Sequence, residues 1–199
     1  MIVFWCDFNS RENKIARSYL TTGQTKRYAQ LSRPIRARQY LYSRVFYNHL
    51  INRLEATDYD EDFRPGLPHR PIQTKTGPVY TSLTHSDHYF ALAHSRFAVA
   101  VDMEVMVERD FKNLAPLFNH PNHRNEELAD ADAFYRAWCE AECREKLHLA
   151  SIDEKQYRML SEKLRADSPV RLCALYDARE SARVIRLDNI LTDQWEGQL

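Results

Sequence analysis

The sequence predicts an α+β fold built from two similar halves, covering residues 1–95 and residues 96–199. The predicted elements run strand, helices, strands and then helices, strands, which is the order expected for two α+β units. No obvious linker or repeat interrupts the 199 residues, and the apolar fraction of 44% is sufficient for a core. We therefore expect the halves to pack together as a pseudo-dimer within one chain.

The first half is predicted to begin with a strand, followed by a long helix. The apolar run Ile2-Val3-Phe4-Trp5 predicts the strand, and it is too short for a signal sequence or a membrane span. Ser32 ahead of Pro34 predicts the start of a helix to about Leu54, since apolar residues recur there every 3.6 positions. Residues 57–78 are rich in Asp, Pro and Gly and predict a surface loop. Two strands then follow in the prediction, at residues 79–83 and 89–94.

The second half is predicted to begin with an apolar strand at residues 97–104. We expect this strand to form a tight hairpin with the preceding one through Ser95 and Arg96. Helical patterning is strongest from Glu126 to about Ala150. The remaining predicted elements are one helix and two short strands, at residues 155–164, 170–175 and 183–187.

Charge is distributed unevenly along the chain, although the formal net charge is zero. Ten Lys or Arg and one acid lie between Arg11 and Arg53, whereas eleven acids and five bases lie between Asp102 and Glu145. A basic stretch attracts phosphates or acidic proteins, and gathered carboxylates can hold a cation, but two solvated helix faces would give the same pattern. A nucleic-acid module is a weaker interpretation, because no RNA-recognition, KH or zinc-finger signature accompanies the basic stretch.

The cysteines and histidines leave two further metal interpretations open. The four cysteines include no CxxC pair, which indicates a reduced, cytoplasmic protein, and Cys139 and Cys143 lack the further ligands of a zinc site. The run His120-Pro121-Asn122-His123 could belong to a metal hydrolase, but its proline and predicted loop make it a poorly preorganised ligand pair.

Asp102 and Glu104 lie two residues apart in the predicted strand at 97–104. Because side chains alternate along a strand, both carboxylates point to one face, while Val101 and Met103 point to the other. Two such carboxylates suit Mg²⁺, which takes one or two carboxylates together with substrate phosphates. A strand end that emerges into solvent is the plainer interpretation of the same pair.

Two other segments carry candidate site residues. Trp138, Glu142 and Lys146 are spaced four residues apart and line one face of the predicted helix, although an ordinary amphipathic helix has the same spacing. His85 lies in the run Ser82-Leu83-Thr84-His85-Ser86 at a predicted strand end, where it could donate to a phosphate or simply cap the strand.

In their order, these three motifs resemble those of the 4′-phosphopantetheinyl transferase superfamily. Members show an LSHS-like motif, a G-(V/I)-D-x-E strand and a W-x-x-K-E-x-x-x-K helix. The corresponding segments are Ser82–Ser86, Ala100–Glu104 and Trp138–Lys146. The chain length and the arginine-rich stretch Arg33–Arg44 are similar to the single-chain members that activate carrier proteins.

The resemblance implies transfer of the 4′-phosphopantetheine group of coenzyme A to a serine of an acidic acyl or peptidyl carrier protein. Mg²⁺ would be the cofactor and 3′,5′-ADP the second product. By the same resemblance, Asp102, Glu104 and Glu142 would hold Mg²⁺, and Glu142 would also help to deprotonate the serine. Lys146 would neutralise the transferring phosphate and assist the leaving group. Contacts to coenzyme A would come from the first half: His85, Thr84, Lys75 and Arg38.

Three differences from the family pattern keep a second hypothesis open. Ala141 stands where the family helix has its first lysine, and Ala100 stands where the family strand has glycine. The usual Gly-Lys-Pro is rearranged into Lys75-Thr76-Gly77-Pro78. The second hypothesis is therefore a non-catalytic relative that binds coenzyme A or a carrier protein. In either case we expect a cytoplasmic monomer that binds neither nucleic acid nor membrane.

Overall fold

The computed structural model describes residues 1–8, 20–55, 70–114, 130–149, 153, 155–164 and 169–187. These residues form a mixed α+β structure with two separate sheets. The strands are β1 Ile2–Asp7, β2 Ile72–Thr74, β3 Gly77–Ser86, β4 Tyr89–Ser95, β5 Val99–Val105, β6 Tyr157–Lys163, β7 Val170–Asp177 and β8 Arg183–Leu187. The helices are α1 Thr22–Ala29, α2 Pro34–Glu55, α3 Phe111–Leu114 and α4 Ala131–Lys146.

The larger sheet has five strands in the order β2-β3-β4-β1-β8, and the smaller has three in the order β5-β7-β6. Neighbouring strands are antiparallel except for β1 and β8, which run parallel. The predicted boundary after residue 95 falls between β4 and β5, and therefore between the sheets. β8 nevertheless joins the first sheet, although it comes last in the chain.

The core is layered as helix, sheet, sheet, helix. Phe46, Leu50 and Ile51 of α2 pack against one face of the five-stranded sheet. The other face of that sheet packs against the three-stranded sheet in a shared apolar cluster that includes Val3 and Val101. The face of the three-stranded sheet opposite this cluster is covered by α4, through its residues Cys139, Cys143 and the capping residue Leu147. The carboxylates of β5 thus lie on the α4 side of their sheet.

Alternation along β5 agrees with the sequence prediction. Val101 and Met103 are fully buried between the sheets, whereas Asp102 lies on the face of Ala100, towards α4. The predicted long helix also forms, from Pro34 to Glu55, so Arg33 rather than Ser32 precedes its first residue. Pro34 suits the first helical position, because its ring sets φ and the first turn needs no donor from its nitrogen.

Three structural predictions are wrong. Residues 155–164 do not form a helix, because β6 pairs with β7 from Tyr157↔Asp177 to Lys163↔Arg171, and this pairing overrides a helix-prone composition. The strands β4 and β5 do not form a hairpin: β4 pairs with β1 and β3, whereas β5 pairs with β7 in the other sheet. The predicted loop 57–78 includes β2 and the start of β3.

Some predictions are refined or fall outside the described residues. The predicted helix 126–150 corresponds to α4, which ends at Lys146 with Leu147 as its C-cap. α1 was not predicted from the sequence and is closed at its start by a capping box between Thr21 and Gln24. The run from His120 to His123 lies outside the described residues. Of the helices in the described part of the chain, none combines the length and the apolar character needed to cross a bilayer.

Candidate active site

The site is built where β3 of the larger sheet meets β5 of the smaller one. β5 is at the edge of its sheet, so the N–H groups on its outer side have no partner among the described strands. Ser82 Oγ accepts the Val101 N–H at 3.1 Å, and Ser86 Oγ accepts the Val105 N–H at 3.0 Å. Both serines lie on the same face of β3, because side chains alternate. The hydroxyl row on β3 therefore joins the two sheets.

Asp102 is the point at which all three sequence motifs meet. Its Oδ1 accepts the Thr84 hydroxyl at 3.0 Å and the Lys146 ammonium at 2.7 Å. Lys146 Nζ also donates to the carbonyl of Val101 at 2.9 Å, which fixes the last turn of α4 against β5. The residue Asp102 is only 5% exposed, so this ion pair is largely shielded from water.

Glu104 lies two residues further along β5 and is held by the same hydroxyl row. Ser86 Oγ donates to Glu104 Oε2 at 2.7 Å. Burial raises the pKa of the Glu104 carboxyl, and the negative charges of Asp102 and Glu142 raise it further, against the effects of Ser86 and Arg109. The carboxylates are thus close enough to repel one another.

Glu142 brings a third carboxylate from α4. Burial raises the pKa of this carboxyl, and the charge of Asp102 adds to the rise, while Lys146 opposes it. For Lys146 itself, burial acts to lower the pKa, but the charge and hydrogen bond of Asp102, together with Glu142, raise it above the ordinary value. Lys146 is therefore a protonated lysine between two acidic side chains.

His85 lies on the opposite face of β3 from Thr84, towards α2. Its ring is tilted against Phe90 of the α2-side core, with 5.6 Å between the ring centroids. Burial lowers the pKa of His85, and the positive charges of Arg36, Lys146 and Arg44 lower it further. Nδ1 of His85 is buried and has no hydrogen-bond partner among the described residues. A neutral imidazole within the field of three cations suits the binding of an anionic ligand.

Of the two other predicted coenzyme A contacts, Arg38 lies on the His85 side of the larger sheet, since its partner Tyr42 packs against Phe90 with 6.4 Å between the ring centroids, whereas Lys75 lies away from His85. Arg38 stacks over the ring of Tyr42, with 5.4 Å from its guanidinium carbon to the ring centroid. Lys75 is exposed in the turn between β2 and β3, at the opposite end of β3 from His85. Eight residue steps of about 3.3 Å along the strand put that end about 26 Å from His85. The arginines whose charges act on His85 are Arg36 and Arg44.

The residues fit a divalent cation in one specific respect. Asp102 Oδ2 is buried and has no hydrogen-bond partner among the described residues, while Oδ1 has two donors. An orphaned carboxylate oxygen beside two carboxyls of raised pKa is a favourable ligand for a cation. Within the described ranges, no three His, Cys, Asp or Glu side chains form a ready metal group. Mg²⁺ needs only one or two carboxylates when substrate phosphates supply further oxygens.

Sequence reasoning assigned Thr84 to coenzyme A and did not identify the contact that its hydroxyl makes with Asp102. The signal was present, because Ser82, Thr84 and Ser86 alternate with the same two-residue period as Asp102 and Glu104. Arg44 is not singled out either, because nothing in a basic helix indicates which arginine acts on a histidine of another element.

The cysteines are structural in the described part of the chain. Cys139 and Cys143 are fully buried on the β7 side of α4, where their thiols contact the carbonyls of Arg171 and Cys173. The hydrogen bond with Cys173, together with burial, raises the pKa of Cys139, so its thiolate, the form that binds metal, is disfavoured.

Comparison with models of protein families finds no match for this chain, and comparison with curated proteins finds no significant relative. The geometry of the site and the order of its motifs are therefore the grounds for any assignment of function.

Proposed function

We propose that this protein transfers the 4′-phosphopantetheine group of coenzyme A to a serine of an apo-acyl or peptidyl carrier protein, with Mg²⁺ as cofactor. One observation supports this function best. Thr84 from the first motif and Lys146 from the third both donate to one oxygen of Asp102, the aspartate of the second. Segments that are far apart in sequence thus meet at one carboxylate, which supports a site with carboxylates for a metal ion and a lysine for phosphate, as phosphoryl transfer calls for.

The proposed reaction is a displacement at phosphorus. The serine Oγ of the carrier protein attacks the β-phosphorus of the coenzyme A pyrophosphate. The new Oγ–P bond forms, the bond between this phosphorus and the oxygen of 3′,5′-ADP breaks, and the serine proton passes to a base. The products are the holo-carrier protein and 3′,5′-ADP.

Glu142 suits the role of that base, directly or through one water molecule. Its carboxylate lies one helical turn before Lys146, and a carboxylate within reach of the serine can accept its proton. Lys146 has a raised pKa and stays protonated, so it supplies a fixed positive charge for the transferring phosphate and the leaving group. When bound, Mg²⁺ would neutralise pyrophosphate charge, and Asp102, Glu104 and Glu142 would be its protein ligands.

The proposal also includes a binding region for the 3′-phosphate of coenzyme A, on the His85 side of β3. The charges of Arg36 and Arg44 act on His85, and Arg44 also stacks over the Tyr40 ring of α2, with 5.0 Å from its guanidinium carbon to the ring centroid, so the proposal assigns the phosphate to these three residues. A neutral histidine and two guanidinium groups can each donate to a phosphate oxygen. Lys75, at the far end of β3, would have a secondary role at most, whereas Arg38 stays a proposed contact on α2.

The proposal includes a partner, an oligomeric state and a fold relation. The basic stretch on α2 is complementary to an acidic carrier protein, such as those of fatty acid or polyketide biosynthesis. We propose a cytoplasmic monomer that binds neither nucleic acid nor membrane. The layer order of helix, sheet, sheet, helix supports two related halves packed as a pseudo-dimer.

A non-catalytic relative is the alternative, and one observation favours it. Ala141 lies one residue before Glu142, where the family has a lysine, so a phosphate-facing cation is missing from this helix. Such a relative would bind coenzyme A or a carrier protein without transferring the group.

One experiment separates the enzyme from the alternative. The protein is incubated with coenzyme A, Mg²⁺ and several apo-carrier proteins, and intact mass and 3′,5′-ADP release are followed together. We expect the carrier mass to rise by one phosphopantetheine group, with one 3′,5′-ADP per carrier, and no rise when the acceptor serine is replaced by alanine. Coenzyme A binding without a mass change in any carrier would favour the non-catalytic relative.

A further inference from the structure

Each carboxylate of β5 accepts a hydrogen bond from the hydroxyl row of β3, and each bond occupies one of its two oxygens. Thr84 Oγ1 donates to Asp102 Oδ1, and Ser86 Oγ donates to Glu104 Oε2. Ser82 lies on the same face and contacts only the backbone N–H of Val101 in its described contacts. Two of the three hydroxyls, those of Thr84 and Ser86, therefore donate to carboxylates, whereas that of Ser82 accepts from the backbone.

We propose that Thr84 and Ser86 are positioning residues, which orient Asp102 and Glu104 so that one oxygen of each faces a divalent cation. The inference rests on the cation site of the proposed function. Its first ground is Asp102, whose Oδ1 has two donors and whose buried Oδ2 has no partner among the described residues. Because the Thr84 hydroxyl donates to Oδ1, it restricts the plane of the Asp102 carboxylate and leaves Oδ2 for a cation.

The second ground is the way in which the hydroxyls are themselves held. Ser86 Oγ accepts the Val105 N–H at 3.0 Å while it donates to Glu104 at 2.7 Å. The backbone of β5 thus sets the direction of the serine O–H, because a hydroxyl that accepts from one side must donate towards another. Thr84 is buried and lies on the same row, so its rotamer is restricted by packing and by its branched Cβ. The carboxylates are oriented before a cation arrives.

The third ground is the known effect of such hydrogen bonds in metal sites. Hydrogen bonds to the ligating carboxylates keep them in place, and loss of such a bond lowers metal affinity by about 10–100-fold in known sites.

The test measures binding of Mn²⁺ alone, by electron paramagnetic resonance, to the full chain and to single variants. We expect Asp102→Asn to remove the binding site, and Thr84→Val and Ser86→Ala to weaken Mn²⁺ affinity by about tenfold. Thr84→Ser and Ser86→Thr, which keep the hydroxyl, should restore it. Ser82→Ala is the matched control, because it removes a hydroxyl that caps a β5 N–H and touches no carboxylate. It should change affinity by less than about twofold, even if it lowers stability.

Three results would overturn the inference: wild-type affinity in both Thr84→Val and Ser86→Ala, an equal loss in Ser82→Ala, or the absence of Mn²⁺ binding that depends on Asp102. If Ser86→Ala does not fold, Thr84→Val decides, since valine keeps the shape of threonine. Transfer activity is measured separately. A wild-type protein that binds Mn²⁺ at Asp102 but transfers nothing would refute the proposed function and leave the positioning inference standing.

Discussion

Asp102 illustrates how one residue can depend on several elements. A buried carboxylate is costly unless it is paired, and this one is paired by Lys146 from α4 and Thr84 from β3. Its second oxygen is orphaned among the described residues, which is unusual for a buried polar atom and typical of a place where a ligand belongs.

The Asp102–Lys146 pair leads to a prediction about stability. Lys146→Met should lower the free energy of unfolding by about 2 kcal/mol, less than for a fully buried pair because Lys146 is 25% exposed. Asp102→Asn with Lys146→Met should recover part of this loss, since no unpaired charge is then left inside. Urea unfolding measures both. The exposed Lys155→Met is the control, and equal losses in the single and double variants would contradict the pairing argument.

The cations around His85 lead to a prediction about coenzyme A. Arg36→Ala and Arg44→Ala should each weaken coenzyme A binding by about tenfold, since a charge-assisted hydrogen bond is worth about 1.5–3 kcal/mol. Isothermal titration measures the affinity.

Lys75→Ala at the other end of β3 is the matched control, with a change below about threefold expected. If Lys75→Ala weakened binding more than Arg36→Ala, the phosphate region would lie elsewhere.

At the scale of elements, side-chain contacts of Glu55 hold the C-terminal end of α2 in place. Glu55 closes the helix and is buried, with hydrogen bonds from Thr74 at 2.9 Å and Thr76 at 2.7 Å, and His94 lies 2.6 Å from it. Burial lowers the pKa of His94, and the contact with Glu55 only partly offsets this. The turn between β2 and β3 is thereby fixed to α2.

These shifts predict how stability depends on pH. A histidine whose pKa is lowered below 6.5 in the folded state takes up its proton more readily when unfolded, so stability should fall as pH drops below 6.5. Burial acts to raise the pKa of Glu55. The hydrogen bonds from Thr76, His94 and Thr74 outweigh this effect, and the pKa of Glu55 therefore lies below 4.5. Stability from Glu55 should therefore persist above pH 4.5 and disappear as pH falls through the lowered value.

Urea unfolding at a series of pH values checks this dependence. His94→Gln should flatten the decline that begins below pH 6.5, and Glu55→Gln should flatten the part below pH 4.5. Glu145→Gln, an exposed site on α4, should leave the profile unchanged. An unaltered profile in His94→Gln would mean that the histidine is not held neutral.

The elements that the sequence predicted correctly are those with a strong local signal. The apolar periodicity of α2 and the alternation of β5 are such signals, and both are confirmed. β6 has a helix-prone composition in Arg158, Met159, Leu160 and Glu162, and its partner β7 decides its conformation. No local pattern records this pairing. In the same way, each motif can be recognised from the sequence alone. That Thr84 and Lys146 both donate to Asp102 Oδ1 depends on the tertiary structure and could not be predicted.

At the scale of the whole molecule, the two sheets are joined in three ways. A common apolar cluster lies between them, the β3 hydroxyls cap the edge of β5, and the chain passes from β7 of the smaller sheet to β8, which pairs with β1 of the larger sheet. Loss of either sheet would expose the buried face of the other. We therefore expect one cooperative unit.

Two tryptophans can test this cooperativity, because Trp5 lies in the larger sheet and Trp138 lies on α4. With Trp195 replaced by phenylalanine, Trp5→Phe and Trp138→Phe each leave one reporter. Their fluorescence should give coincident urea transitions once the stability of each variant is taken into account. Circular dichroism provides the reference for each variant. A fluorescence transition displaced from it would show that the sheets unfold separately.

The central claim is that β3, β5 and α4 together form one site for phosphopantetheine transfer, with Asp102 at its centre. The most direct measurement is the initial rate of carrier mass gain with Asp102→Asn and with Asp177→Asn, a buried aspartate on the neighbouring strand β7. We predict that the wild-type protein modifies a carrier, that Asp102→Asn is slower by at least about 100-fold, and that Asp177→Asn stays within about threefold. Near-normal transfer by Asp102→Asn, or no transfer by the wild-type protein to any carrier tested, would contradict the claim.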